Sequence, residues 1–394
     1  MYKKVLVLGW DGYIGFASYV GLTLRGKHVI GMDNYITRKR VKGYGSTSGI
    51  AIDDPETRKS YFDRLYGLDM EYYEGDVCDY KRLKKVIERV RPDAVIHLAE
   101  QRSAPYSMLD REHAIETQTK NLSSTLNLIY AIKETDRDIH MIKLGTMGEY
   151  GTPNIDIEEG FIEIEHHGRK DVMPYPRQAS SWYHLSKVHD SHNLMFACNN
   201  WGLKVTDINQ GVVYGNHYCD NPAPEIHDDC TLLSTRFDFD EFFGTVLNRF
   251  CVQSVLGMPL TVYGEGGQTR GFLSLSDVVQ CLDLVLDHEP EGYNVVNQFD
   301  RAYSVNDVAE IVRRCSNVVL GYQPEIIHLE NPRTEKERHY YNVKHEKLSA
   351  MGYKPIRDIY EDVELILSEL RKPENLKILE SRKWLVNPSI RWKS

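Results

Sequence analysis

Val5-Leu6-Val7-Leu8-Gly9-Trp10-Asp11-Gly12-Tyr13-Ile14-Gly15 carries an aliphatic strand straight into a GxxGxxG turn. Gly9 permits the tight turn, Gly12 lets backbone approach a pyrophosphate, and Gly15 lets the next helix pack on the strand. The first N–H groups of that helix, expected over Phe16–Arg25, then face the phosphates. Asp33 closes a second strand 18 residues after Gly15. Strand, glycine turn, helix, strand and terminal carboxylate together predict a dinucleotide site. Asp33 is placed to bond the adenosine ribose hydroxyls. Its charge repels a 2′-phosphate, which favours NAD over NADP. Arg38-Lys39-Arg40 could instead hold that phosphate, clamp the pyrophosphate or form a solvated loop. Asp11, Tyr13 and Ile14 in the turn, Asn34 and Arg38 after the second strand, Asp76 and Val77 after the third, and Leu98 ending the fourth complete the expected cofactor contacts.

Outward from the turn, short aliphatic runs alternate with helical patterns through residue 215. Strands are expected at Lys4–Leu8, His28–Met32, Met70–Glu74, Ala94–Leu98, His140–Leu144 and Lys204–Asp207. Runs of this kind suit strands covered on both faces. The fold class is therefore α/β: a doubly wound, parallel Rossmann sheet with a smaller C-terminal α/β substrate-binding domain. Thr37–Gly67 is a long polar connection with one helix, Pro55–Tyr66, and a loop this long is expected to bind something. After Tyr214-Gly215 the texture changes to an irregular acidic segment, a helix at Phe242–Leu256, a glycine-rich turn at Gly264–Gly271 and a helix at Leu275–Leu286. The expected domains are residues 1–208 for the dinucleotide and 209–394 for the substrate, ending in a charged arm over Arg371–Ser394.

The chain has 394 residues, 41% hydrophobic and 27% charged, which is enough apolar material for a sizeable core and excludes disorder as the main state. A net charge of −9 argues against a general nucleic-acid surface. No apolar run reaches the roughly 18 residues of a membrane helix, so no membrane insertion is expected. Met1-Tyr2-Lys3-Lys4 passes directly into the first strand without a signal-peptide pattern. Seven cysteines, an odd number without a CxxC pair, fit a reducing, cytoplasmic setting.

Tyr183-His184-Leu185-Ser186-Lys187 is a YxxxK. Positions four apart share a helix face, so Lys187 lies beside Tyr183 and lowers its pKa toward neutrality. The tyrosine can then take a proton from an alcohol as hydride leaves the carbon. Thr146, ending the preceding strand, either bonds the same sugar hydroxyl or caps a helix. Two histidine patterns invite a metal reading: His189-x-x-His192, and His217-x-Cys219 with His227-x-x-Cys230. The first lacks a third ligand and the second has irregular spacing, so no metal is expected.

With these motifs in place, the chain resembles the extended short-chain dehydrogenase/reductase family acting on nucleotide sugars. The runs Glu100–Met108 (EQRSAPYSM), Lys143–Gly160 (KLGTMGEYGTPNIDIEEG), Tyr183–His192 (YHLSKVHDSH), Asn209–Gly215 (NQGVVYG) and Gly264–Gly271 (GEGGQTRG) carry it, most closely toward a sulfite-using member. It covers almost the whole chain and fails mainly in Asn216–Leu233 and at the C-terminal end. The resemblance implies UDP-glucose and sulfite as substrates and tightly held NAD. It implies that Tyr183 deprotonates the glucose 4-hydroxyl while C4 is oxidised, that C5–H and the C6 hydroxyl are lost to give an enone, that sulfite adds at C6, and that C4 is reduced again.

Sugar 4,6-dehydratases of the family carry Thr-Asp-Glu at this strand end. Here Thr146 is followed by Met147 and Gly148, with Glu149 one place later, so the Asp acid is absent. His184 is the first candidate to serve C5 and C6, with Glu149 second; a packed helix residue is the alternative for His184. Arg270, Arg333 and Asn209 match family contacts to the nucleotide diphosphate. Gln210, Arg249 and Gln268 are further substrate contacts, and Gln101 and Arg102 lie where cofactor and sugar meet, with Arg102 able to hold sulfite. Each arginine could equally be an ion pair. The alternatives are a UDP-sugar 4-epimerase or 4,6-dehydratase, or a non-catalytic NAD-binding protein of the same fold. A homodimer is implied. Whether sulfite arrives free or from a donating protein partner stays open, as does a lipid or glycan destination for the product.

Overall fold

The computed structural model describes residues 3–135, 138–218, 233–331 and 339–386. Strand β1 (Lys4–Leu8) leads through the glycine turn into α1 (Tyr13–Leu24), then β2 (His28–Asp33). Helices α2 (Ile36–Gly43) and α3 (Pro55–Tyr66) precede β3 (Glu71–Glu74). The Asp54 side chain caps α3 at the Glu56 and Thr57 amides, and Pro55 needs no donor at the first helical position. Next come α4 (Tyr80–Val90), β4 (Ala94–His97), α5 (Ala104–Ser107), α6 (Arg111–Lys133) and β5 (His140–Thr146). An exposed antiparallel hairpin, β6 (Phe161–His166) and β7 (Arg169–Pro174), precedes α7 (Trp182–Trp201) and β8 (Lys204–Gln210).

The second half contributes β9 (Val212–Tyr214), α8 (Val246–Val255), β10 (Leu260–Tyr263), β11 (Thr269–Ser274), α9 (Leu275–Asp287), β12 (Tyr293–Gln298), β13 (Arg301–Ser304), α10 (Val305–Leu320) and β14 (Ile326–Leu329). Helices α11 (Glu346–Ala350), α12 (Ile359–Leu370) and α13 (Pro373–Glu380) follow.

The main sheet has seven strands in the order β12-β8-β5-β4-β1-β2-β3, all parallel. The order reverses direction between β1 and β4, the switch point where doubly wound sheets open a crevice at the carboxyl ends of the strands. The predicted strands all form, and β5 and β8 run on to Thr146 and Gln210. Helix α2 replaces part of the expected loop.

The seventh strand corrects the domain division. Strand β12 pairs with β8, Asn297 opposite Asn209 and Gln298 opposite Gln210. Helix α9 shares a core with α1 through Val278, Val279 and Leu282 against Phe16 and Val20. Residues beyond 208 therefore complete the dinucleotide layer, and no single cut at 208/209 separates the two layers. The smaller layer has its own core of Phe237, Phe239, Phe250, Val312 and Ile366. No helix among the described residues is long and apolar enough to cross a membrane.

Candidate active site

The strand ends open into a cleft of about 410 Å³. Gly9, Gly12, Tyr13, Ile14 and Gly15 line it at β1, with Asp33 and Asn34 at β2. Asp76, Val77 and Leu98 line it from β3 and β4. Thr146, Tyr183 and Lys187 enter from β5 and α7, and Gln101, Arg102 and Gln210 complete the wall toward the second layer.

The glycine turn fits a dinucleotide for steric reasons. Gly9 sits at φ +86°, and a Cβ on Gly15 would lie 2.0 Å from the Gly9 carbonyl oxygen. Only bare backbone reaches the start of α1, which leaves its amide end open to a diphosphate. Asp33 accepts from the Asp11 amide (3.0 Å) and the Tyr35 amide (2.7 Å). Burial, with the nearby Asp11 carboxylate, pushes the Asp33 pKa up to about 6. Each of its oxygens keeps a lone pair for a ribose hydroxyl.

Asp11 and Arg38 turn away from this cleft. Arg38 grips the Asp11 carboxylate at 2.6 and 2.7 Å, and buried Arg58 adds a bond at 2.9 Å. That pairing ties the glycine turn to α2 and α3. The sequence placed both as cofactor contacts; the structure uses them to brace the turn. Of the basic run, Arg40 lines the cleft, paired to Glu116 and lying over Tyr106.

Ser181 caps α7, accepting from the His184 amide at 3.2 Å. One turn on, Lys187 Nζ donates to the Leu144 carbonyl (2.7 Å) and lies 6.0 Å from the Tyr183 ring centroid. Lys187 is also ion-paired to Glu100. Burial raises the Tyr183 pKa more than Lys187, Lys143 and Arg102 lower it, and Glu100 opposes them. The lowering expected from YxxxK alone is thus outweighed in the protein without ligands. Thr146 accepts from the Gly148 amide (3.1 Å), capping the short turn Met147–Glu149 while it lines the cleft.

The His184 imidazole lies over Gly148: a Cβ there would sit 2.5 Å from the ring. Its Nδ1 is 3.0 Å from the Ser181 hydroxyl, and its ring centroid is 5.1 Å from that of Tyr183. The space beside the Gly148 backbone is thus filled by an imidazole.

Glu149 lies in the core and does not line the cleft. It is fully buried, ion-paired to Arg177 and to Lys143 (3.2 Å), and accepts from Ser191 at 3.0 Å. Asn209 is also fully buried, donating to the Tyr150 hydroxyl at 2.8 Å, which in turn donates to Asn297. Arg249 donates to the Thr261 carbonyl (2.7 Å) and stacks on Tyr263, and Arg270 is 3.2 Å from His339. The cleft wall includes none of Asn209, Arg249, Gln268 and Arg270. Arg333 and the Cys219, His227 and Cys230 positions lie outside the described residues.

Sequence reasoning missed Glu100 and the space made by Gly148. Glu100 lay in plain view, three residues after the end of β4. Its partner sits 87 positions away, and no local pattern signals that pairing.

The model for the NAD dependent epimerase/dehydratase family matches residues 5–297. The chain belongs to this family. Within it, the chain is 45% identical over 393 residues to UDP-sulfoquinovose synthase of Sulfolobus acidocaldarius, covering 99% of this chain and 98% of that one. It is 48% identical over 355 residues to the chloroplastic UDP-sulfoquinovose synthase of Spinacia oleracea, covering 90% and 72%. Among solved structures, UDP-glucose 4-epimerase from Bifidobacterium longum, in complex with NAD+ and UDP, superposes with a TM-score of 0.69 at 20% identity over 94% of this chain and 99% of that one. That last likeness concerns the fold.

Proposed function

We propose that Tyr183, Lys187, Thr146 and His184 convert UDP-glucose and sulfite to UDP-sulfoquinovose in this cleft. The enzyme is a UDP-sulfoquinovose synthase by its relatives at 45% and 48% identity. NAD, when bound along the glycine turn and Asp33, supplies reversible oxidation at C4. Tyr183 accepts the O4 proton and later returns it, with Thr146 holding that oxygen. The 4-keto group acidifies C5–H. His184 takes that proton and delivers it to the C6 hydroxyl, which leaves as water and gives the 4-keto-5,6-ene. Bisulfite gives its proton to His184 as its sulfur bonds to C6, and His184 passes that proton to C5. The balance is UDP-glucose plus bisulfite giving the sulfonate and water.

The observation that supports His184 is its ring seated on Gly148 beside Tyr183, while Met147 stands where a dehydratase carries its Asp. An imidazole suits reversible proton transfer near neutral pH. Arg102 is suited to sulfite: Asp238 holds both Arg102 and Arg236, two cations to one carboxylate, so positive charge is left for an anion. Gln101 and Gln210 line the same wall and serve the sugar. Helices α6 and α7 pack together and expose Ile115, Leu126, Tyr130, Trp182 and Phe196, which suits a homodimer. Five free cysteines among the described residues suit a reducing cytoplasm.

Purified protein incubated with UDP-glucose should form an anionic sulfonated UDP-sugar only when sulfite is added, read by mass spectrometry. UDP-galactose formed without sulfite would identify an epimerase instead. Tyr183→Phe should keep NAD and bind UDP-glucose yet fail to reduce the bound cofactor. Turnover near the parent rate in that variant would remove the base assignment.

A further inference from the structure

Glu100 is a carboxylate that the mechanism above leaves unused. It lines the cleft, and its side chain is 2% exposed. One oxygen is ion-paired to Lys187 Nζ. The other lies 3.3 Å from His97 Nε2 and 3.5 Å from Thr125 Oγ1. Burial pushes the His97 pKa down to about 4, so this imidazole is neutral and offers Glu100 no charge. Lys143 is held by Glu149 (3.2 Å) and Asp207 (3.1 Å). Asp190, one turn beyond Lys187 on the same face of α7, is buried against the same groups, and burial and Glu100 push its pKa well up. Lys187 is therefore the cation that answers Glu100.

A lysine stabilises a nearby phenolate through its unshared charge. Here that charge is shared. Around Tyr183, Lys187, Lys143 and Arg102 favour the phenolate and Glu100 opposes it, while neighbouring His184 bonds Ser181. Arg102 is itself paired with Asp238.

We propose that Glu100 is a positioning residue that holds the borrowed O4 proton on Tyr183, by sharing the charge of Lys187, through the interval in which C5 and C6 react. This inference rests on Tyr183 being the base. A simple epimerase returns hydride as soon as the ketone turns over. A synthase must keep the ketone through elimination and sulfite addition, and a phenol that lost its proton meanwhile could not complete the final reduction. A carboxylate beside the lysine raises the phenol's proton affinity and makes that loss rarer.

The test compares Glu100→Gln with the parent as NAD-loaded enzymes. The acidic limb of kcat against pH should move down by about 1 unit, the scale of one nearby charge. The phenolate absorbance of Tyr183, taken as the difference between each protein and its Tyr183→Phe counterpart, should titrate lower by the same amount. NAD content should match the parent. Glu100→Asp, with its carboxylate one methylene farther from Lys187, should fall between. The proposal is overturned if limb and absorbance titrate as in the parent or move up. If Glu100→Gln does not retain NAD, the phenolate titration of the cofactor-free pair decides in the same way. Parent-like turnover by Tyr183→Phe alone would instead overturn the base assignment beneath it.

Discussion

A glycine decides what the neighbouring histidine can do. Gly148 has no side chain, and the His184 ring takes that space, with a built Cβ only 2.5 Å from both Cδ2 and Nε2. Contacts that short force the ring to move, since the methyl would grow from fixed backbone. Gly148→Ala should therefore keep NAD and still oxidise C4, because Tyr183 and Lys187 are untouched. Sulfonated product should fall at least about tenfold, the effect expected from a displaced proton-transfer group. Mass spectrometry of the products, beside the absorbance of reduced cofactor, separates the two. Full sulfonation in the alanine variant would show that the ring's seat is irrelevant to C5 and C6. The same scale explains why Glu149 disappointed as a candidate. Its position in sequence is near that of a dehydratase carboxylate, yet Lys143 and Arg177 claim both its oxygens inside the core. A buried carboxylate held by two cations is a poor proton carrier at neutral pH.

The glycine turn and α1 work as one element. The Gly15→Ala methyl would meet the Gly9 carbonyl oxygen at 2.0 Å, which is backbone against backbone, so the turn must open. The variant should purify depleted of NAD and melt at a lower temperature, checked by the absorbance ratio of the preparation and by calorimetry. Full NAD occupancy would mean that α1 can start elsewhere. Elements of this kind were legible in advance because their signals are local: an aliphatic run, three glycines, a carboxylate at a strand end. The strands and α3 follow from the same local rules, down to the Asp54-Pro55 start. Helix α2 was not legible, since its eight residues carry four basic side chains and bury only Val41. Strand β12 was missed for a different reason. Tyr293–Gln298 resembles any short strand, and only pairing with β8, almost ninety residues earlier, makes it part of the main sheet. Asp11 and Arg38 were placed on the cofactor because they flank its turn, but the carboxylate finds its partners inside the protein.

Across the whole molecule, the two layers meet along a seam where charge and burial compete. Tyr13 of the glycine turn donates to the Gly215 carbonyl at 2.8 Å, and the next residues lead to His217, which is buried. Burial pushes the His217 pKa down to about 4, with Arg357 and Lys372 adding to it. Its Nδ1 lies 3.1 Å from the Asn216 side-chain oxygen. Below about pH 6.5 the unfolded chain takes up a proton at this ring, whereas the folded chain declines it until about pH 4. The stabilising effect is therefore complete above pH 6.5 and drains away as pH falls toward 4, by about 2 kcal/mol at pH 5. His217→Gln has no proton to gain. The stability gap between parent and variant, measured by denaturant unfolding of the NAD-free proteins, should narrow by about 2 kcal/mol between pH 7 and pH 5. A gap that stays constant over that range would put the ring in contact with water and make the seam insensitive to acid.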